Sequence, residues 1–200
     1  MEGSCGIISG MGKELKPTLW RTARALANAD RLNLMRLVSN AKGAKSVSEL
    51  AEEIGLPVPT TSLYLRALNA RGLISVVRSG RCVYYGTGSD RSLPVAMSIQ
   101  NSFRKLFALQ ALPFDWTDRL LPVLRAYSSP RREEIIRILS NHPRLSYSEL
   151  RRRCGICETT FLRHFSILTS IGLAVVSQDG TYAIAKPKNS LEAALLAASQ

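Results

Sequence analysis

Apolar residues along this chain recur at helical spacing in short stretches that glycines stop, and each series ends in a β-branched run. After Asp30, which has the chemistry of a helix N-cap, Leu34, Leu37 and Val38 fall at helical spacing until the Gly43 region breaks the pattern. Ser46-Val47-Ser48-Glu49 has the form of a capping box, in which the serine hydroxyl accepts from one end N–H and the glutamate reaches back to another. The helix it opens keeps Leu50 and Ile54 on one face and stops at Gly55, a residue free to take the left-handed conformation of a helix end. A tight turn leads into a second helix over Thr60 to Arg71, with Leu65 and Leu68 inward and Thr61, Ser62, Tyr64, Arg66 and Asn69 outward. Past Gly72, Leu73-Ile74-Ser75-Val76-Val77 is strand-like, Arg78-Ser79-Gly80-Arg81 is a basic turn, and Val83-Tyr84-Tyr85 is strand-like again. A short helix, a turn, a polar helix and a hairpin predict a helix-turn-helix with a β-hairpin wing.

The pattern occurs twice. Ser48-Glu49-Leu50 returns as Ser148-Glu149-Leu150, and the same offset of 100 pairs Gly55 with Gly155, Thr60 with Thr160, Leu68 with Leu168, Gly72-Leu73 with Gly172-Leu173, and Gly80 with Gly180. Upstream, Arg36-Leu37-Val38-Ser39-Asn40 matches Arg137-Ile138-Leu139-Ser140-Asn141 at an offset of 101, so a one-residue length difference falls in a loop, where it is tolerated. Between the copies, Val95, Ile99, Phe103, Leu106 and Phe107 lie at helical spacing and predict one long amphipathic helix over Ser92 to Leu112, with Pro94 and Pro113 near its ends. Leu191 to Ala198 is its shorter counterpart in the second copy. The expected fold is mainly α with small β-hairpin wings: a winged-helix domain over 14–91, a linking helix over 92–113 and a second winged-helix domain over 114–200.

Charge narrows the partner. The chain has 27 Lys and Arg against 15 Asp and Glu, a formal net charge of +12, which favours a polyanion such as nucleic acid or an anionic membrane surface. The halves share it evenly: 13 basic and 7 acidic residues in 1–100, and 14 and 8 in 101–200. No apolar run approaches the roughly 18 to 20 residues of a membrane span, and Gly6-Ile7-Ile8 is too short for a signal-peptide core, so no membrane partner and a cytoplasmic location are expected. Cys5, Cys82, Cys154 and Cys157 do not make a disulfide framework and read as reduced thiols. Cys154-Gly155-Ile156-Cys157 has the spacing of a metal or redox pair, yet Cys154 replaces Ile54, an inferred core position, and a buried cysteine behaves as a small hydrophobe. No second pair of ligands is obvious, since His142 and His164 are the only histidines, so no metal or cofactor is expected. With no phosphate loop and no nucleophile elbow, catalysis is not expected either.

Three segments of the first copy resemble the ArsR-like winged-helix repressors. Ala25-Leu26-Ala27-Asn28-Ala29-Asp30-Arg31-Leu32 is similar to that family's entry into its second helix. Ser62-Leu63-Tyr64-Leu65-Arg66-Ala67-Leu68-Asn69-Ala70-Arg71-Gly72-Leu73-Ile74 is similar to its recognition helix, with Tyr64 where histidine is common. Gly80-Arg81-Cys82-Val83-Tyr84-Tyr85 resembles its wing return. The likeness covers residues 18–90; residues 118–186 match less closely, keeping the recognition-helix pattern in Thr160 to Leu168 but carrying a wing, Ser177-Gln178-Asp179-Gly180-Thr181, without basic residues. The resemblance implies a transcriptional repressor that binds double-stranded DNA and pairs through its terminal helices, here as an intramolecular pseudo-dimer or a homodimer. The candidate DNA-binding residues are Thr60, Thr61, Ser62, Tyr64, Arg66 and Asn69 on the first recognition helix, with Arg78 and Arg81 on its wing. In the second copy they are Arg151, Arg152 and Arg153, which replace Ala51-Glu52-Glu53, together with Thr159, Thr160, Arg163 and His164. Two rivals stand beside this reading: a non-catalytic module that binds protein through the same surfaces, and a thiol- or metal-responsive switch.

Overall fold

In the computed structural model, which describes residues 18–88, 93–108 and 115–199, both serine–glutamate pairs close as capping boxes. Glu49 N–H donates to Ser46 Oγ at 3.2 Å and Ser46 N–H to a Glu49 carboxylate oxygen at 2.7 Å; the Ser146 and Glu149 pair repeats this at 3.4 and 3.2 Å. Each box opens an eight-residue helix, α3 (Val47–Ile54) and α8 (Tyr147–Cys154), that ends on a glycine in the left-handed region, Gly55 at φ +72° and Gly155 at φ +61°.

Around them the first copy folds as α1 (Leu19–Leu26), α2 (Ala29–Asn40), β1 (Lys45–Ser46), α4 (Val58–Asn69), β2 (Ser75–Ser79) and β3 (Cys82–Gly86). The second folds as α6 (Trp116–Tyr127), α7 (Pro130–Asn141), α9 (Glu158–Ser170), β4 (Ala174–Val176) and β5 (Tyr182–Ile184). The copies are joined by α5 (Pro94–Ala108) and the second closes with α10 (Ser190–Ala198). Both are winged helix-turn-helix domains. A further repeat, Arg24-Ala25 and Arg31 against Arg125-Ala126 and Arg132 at the offset of 101, fixes their corners. Arg31 donates to the carbonyls of Ala25 and, at 3.2 Å, Arg24, while Arg132 donates to those of Ala126 (2.7 Å) and Arg125 (2.5 Å). In each copy one guanidinium thereby ties the end of the first helix to the start of the second.

Three local expectations change. The N-cap of α2 is Asn28, whose side-chain oxygen accepts from Arg31 N–H at 2.9 Å, and Asp30 lies in the first turn instead, where its charge still suits the helix dipole. Helix α4 starts at Val58, two residues before Thr60, because Pro59 lies at N2, a position whose missing N–H costs no helical bond. The linking helix covers Pro94–Ala108, and Leu93 precedes it; the rest of the expected 92–113 stretch, the 91/92 and 113/114 boundaries, and Cys5 lie outside the described residues.

The wings differ in length. In the first copy the strands lie in the order β1-β3-β2, with Lys45 opposite Tyr85 and Val76 opposite Tyr85 from the other side, so the hairpin encloses residues 77–84 and turns on Gly80-Arg81 between the Ser79–Cys82 pair. In the second, Leu145 bridges Tyr182 and Val176 pairs with Tyr182, enclosing only 177–181. The second wing is three residues shorter.

The two copies share one continuous apolar core. Helix α1 packs on α6, and α5 on α10, each against its own counterpart in the other copy; α5 also lies on α2. The buried face of α5 carries Ala96, Ile99, Phe103 and Phe107, and α10 supplies Leu191, Ala194 and Leu195. Phe103 stacks on Phe107 (centroids 5.2 Å apart), Phe107 meets Trp116 edge-on (5.4 Å), and the Arg36 guanidinium lies 5.6 Å from the Trp116 ring centroid. Three hydrogen bonds tie the packed helices to their neighbours. Gln100, buried on α5, donates to Leu73 O at 3.2 Å, Ser190 Oγ donates to Ser102 O at 3.2 Å, and Trp20 N–H near the start of α1 donates to a Glu133 carboxylate oxygen on α7 at 3.2 Å.

Candidate nucleic-acid interface

Helix α4 buries Thr61, Leu65 and Leu68 and presents the opposite stripe, Pro59, Leu63, Arg66 and Ala70, to solvent, with Ser62 half-exposed beside it. Thr61 is therefore a correction. It is wholly buried, and its hydroxyl donates to Pro57 O at 3.2 Å, the back-bond a threonine makes inside a helix, so it faces the core and not a ligand. Tyr64 and Asn69, read as outward, are both half-buried with internal partners. Tyr64 packs on the core with the Arg31 guanidinium 5.5 Å from its ring centroid, and Asn69 donates to Ile74 O at 2.9 Å, fastening the helix end to the strand that starts the wing. Thr60 is half-buried in the first turn. Ser62 and Arg66 remain on the exposed side, with Arg66 Nε–H donating to Ser62 O at 3.3 Å.

Leu63 is a residue that the sequence pattern passed over. At 58% exposure it stands in the middle of the exposed stripe, where an apolar side chain suits the methyl group of a thymine. Its signal was the spacing: two residues before the inward Leu65, it lies about 200° around the helix, on the far side. In the adjoining wing Arg78 and Arg81 are both exposed, and neither pairs with a carboxylate among the described residues.

The second copy has another chemistry on the same faces. Arg151, Arg152 and Arg153 are exposed on α8, with Arg153 Nη1 3.2 Å from His142 Nε2. Thr159 and Arg163 are exposed, and Thr160 is half-buried with Oγ1 3.1 Å from Cys157 Sγ. His164 takes the place of Tyr64 and is likewise half-buried; desolvation, and then Arg132, Arg163 and Arg131, hold its imidazole below the usual value, and its Nδ1 is buried without a partner. The wing tip carries Asp179, which accepts from Thr181 N–H (3.1 Å) and Thr181 Oγ (2.6 Å), in place of the arginines. Beside it Leu162, Val175 and Val176 are exposed along an open apolar cleft of about 690 Å³ walled by Tyr147, Phe165 and Tyr182.

The two cysteines of the Cys-x-x-Cys pair diverge. Cys154 is half-buried against the core, and desolvation pushes its thiol up to about 11, whereas hydrogen bonds from Thr160 hold the exposed Cys157 thiol below its ordinary value. Because the thiolate is the nucleophile, iodoacetamide at neutral pH is expected to modify Cys157 well before Cys154, and peptide mass mapping over time reads the order. Equal rates would contradict the inferred environments. Among the described residues no cluster of three His, Cys, Asp or Glu side chains comes together to hold a metal ion, and no helix is long and apolar enough to cross a membrane.

Residues 28–76 match the family described as bacterial regulatory protein, arsR family, and residues 129–174 match winged helix-turn-helix DNA-binding. Among solved structures the chain is similar to the homodimeric winged helix-turn-helix DNA-binding domain (fragment 1–100) of a possible ArsR-family transcriptional regulator from Mycobacterium bovis. The identity is 28%, covering 52% of this chain and 86% of that one, with a TM-score of 0.35. A search of the curated proteins found no match.

Proposed function

From a chain that carries two winged helix-turn-helix domains in tandem, the first of them ArsR-like, we infer a sequence-specific DNA-binding transcriptional repressor that reads its site with α4 and the first wing. The observation that carries this is what the two elements leave open to solvent: Leu63 and Arg66 with half-exposed Ser62 on the helix, and Arg78 and Arg81 on the hairpin that follows it in the chain. A helix of this kind fits the major groove, and an adjoining basic hairpin reaches phosphate or the minor groove beside it. Selection of bound fragments from the source genome, with affinity then measured across salt concentrations, tests the reading. An enriched sequence and a steep salt dependence are expected; no enrichment over random DNA would contradict sequence-specific readout.

The assembly we propose is an intramolecular pseudo-dimer. Single winged helices commonly pair across a two-fold axis to read two half-sites. The packing of α1 on α6 and of α5 on α10 supports the same arrangement within one chain.

A second reading is favoured for the second domain alone. Its shortened wing ends in a carboxylate that repels phosphate where the first wing carries Arg78 and Arg81. Both domains expose apolar side chains beside the wing, Leu63, Val76 and Val77 in the first and Leu162, Val175 and Val176 in the second, so the reversed charge is what suits the second to a protein contact better than DNA. The three arginines of α8 discriminate. Replacing Arg151, Arg152 and Arg153 together by alanine should leave DNA affinity and its salt dependence near wild type if this domain only pairs or binds protein. A salt slope reduced by about 0.9 for each phosphate left unneutralised would instead place α8 on the DNA backbone.

A further inference from the structure

Four arginines converge on one cleft at the far end of α4. The cleft has a volume of about 410 Å³ and lies between α1, α2 and the last turn of α4, lined by Arg21, Arg24, Arg31 and Arg71 over a floor that includes Ala67 and Ala70. Arg21, Arg31 and Arg71 are half-buried, and none of the four pairs with a carboxylate among the described residues. Arg31 spends its donors on the Arg24 and Ala25 carbonyls, and Arg21 lies 5.0 Å from the Trp20 ring centroid, so these two guanidiniums are held in place, with Arg24 at the exposed rim. Like charges gathered in a partly desolvated site repel one another unless an anion joins them.

The second copy serves as an internal control. The corner clamp recurs there, since Arg132 answers to Arg31 and Arg125 to Arg24. Yet Arg21 and Arg71 correspond to Pro122 and Ile171, and Ala67 and Ala70 to Ile167 and Ser170. The fold forms without the two extra arginines and with a bulkier residue in place of Ala67. Arg21, Arg71 and the small floor are therefore additions to the first domain and not part of its scaffold.

We propose that this cleft binds a phosphate-bearing ligand, with Arg21 and Arg71 as its selective contacts and Arg24 and Arg31 completing the positive field. Guanidiniums match phosphate oxygens as paired donors, and a cleft of this size admits a pyrophosphate or the phosphates of a nucleotide. The same chemistry has two sources. Ala67 lies on the recognition helix and Ala70 caps its end, so a backbone phosphate of bound DNA next to α4 is one, and a free phosphorylated small molecule is the other; the first rests on the proposed DNA-binding function, the second does not.

The test uses the full chain and the double variant Arg21→Gln/Arg71→Ile, whose second change copies the residue of the other repeat. Inorganic pyrophosphate is titrated by calorimetry at low salt, and DNA affinity is measured over a salt series. If the ligand is free, wild type binds pyrophosphate saturably, the variant weakens this at least about tenfold, and DNA binding is unchanged. If the ligand is the DNA backbone, the variant loses affinity alike on all sequences and its salt slope falls by about 0.9 for each phosphate the arginines no longer neutralise. A variant with wild-type pyrophosphate binding and wild-type DNA affinity and slope overturns the proposal while leaving the DNA-binding reading intact. Pyrophosphate binding that depends on these arginines in a chain with no DNA affinity does the reverse. Should the double variant not fold, as judged by circular dichroism, Arg24→Gln at the exposed rim carries the same measurements and the same outcomes.

Discussion

Arg66→Ala is expected to lower affinity for the preferred DNA site by about 1–3 kcal/mol, and to change affinity for random DNA far less. Arg66 lies in the middle of the exposed stripe of α4, beyond the inward Leu65, and a helix in the major groove turns that stripe toward base edges. A guanidinium there offers a paired donor to a guanine, and its loss removes discrimination as well as attraction. The wing should behave otherwise. Arg81 lies in the two-residue turn and Arg78 on the strand just before it, and contacts from such a tip to phosphate carry no sequence information. Replacing both by alanine should weaken binding to all sequences about alike and reduce the salt slope by roughly 0.9 for each phosphate left unneutralised. Competition assays with the selected site and with random DNA, repeated at several salt concentrations, separate the two behaviours. If Arg66→Ala weakened binding equally on both DNAs, α4 would not be the reading element; if neither variant weakened it, the surface would be wrong and the protein-contact reading would extend to both domains.

The features legible in the sequence were those fixed by residues near one another. A serine three residues before a glutamate defines a capping box within one turn, and Gly55 and Gly155 end their helices by local backbone freedom alone, so both copies were visible. Where two local signals competed, the boundary moved. Asn28 and Asp30 are both good caps, and the choice fell to Asn28, two residues earlier. Pro57-Val58-Pro59 looks like a turn, yet proline in a first helical turn starts α4 there. Thr61 misled because a hydroxyl counts as polar in a periodicity argument, although an i−4 carbonyl satisfies it inside the helix. Leu63 was passed over for the opposite reason, as an apolar residue on a solvent face. The arginine cleft was hidden for a different reason: its four side chains come from α1, α2 and the turn after α4, spread over some fifty residues, and no short motif collects them. The difference between the wings was legible in charge but not in length, since Gly80 and Gly180 keep the offset of 100 and the three missing residues follow the turn.

Phe103→Ala is expected to lower the unfolding free energy by about 3–5 kcal/mol, the cost of opening a large cavity in a packed core. For a chain of this size that corresponds to a fall of roughly 10 °C in the thermal midpoint. Phe103 is fully buried, stacked on Phe107, and lies on the helix that joins the copies, where α5 meets both α2 and α10. Because the apolar core runs without a break from one copy into the other, the destabilisation should appear in one cooperative transition and not in that of a single domain. The proposed intramolecular pairing adds a condition that a homodimer cannot meet. When both halves of the seam belong to one chain, the midpoint is independent of protein concentration, and light scattering of the wild type in dilute solution gives 22.0 kDa. A mass near twice that value with no monomer, together with a midpoint that rises with concentration, would show that α5 and α10 meet their counterparts in a second chain. Two separate transitions, with only one moved by Phe103→Ala, would show that the copies fold as independent domains despite their shared core.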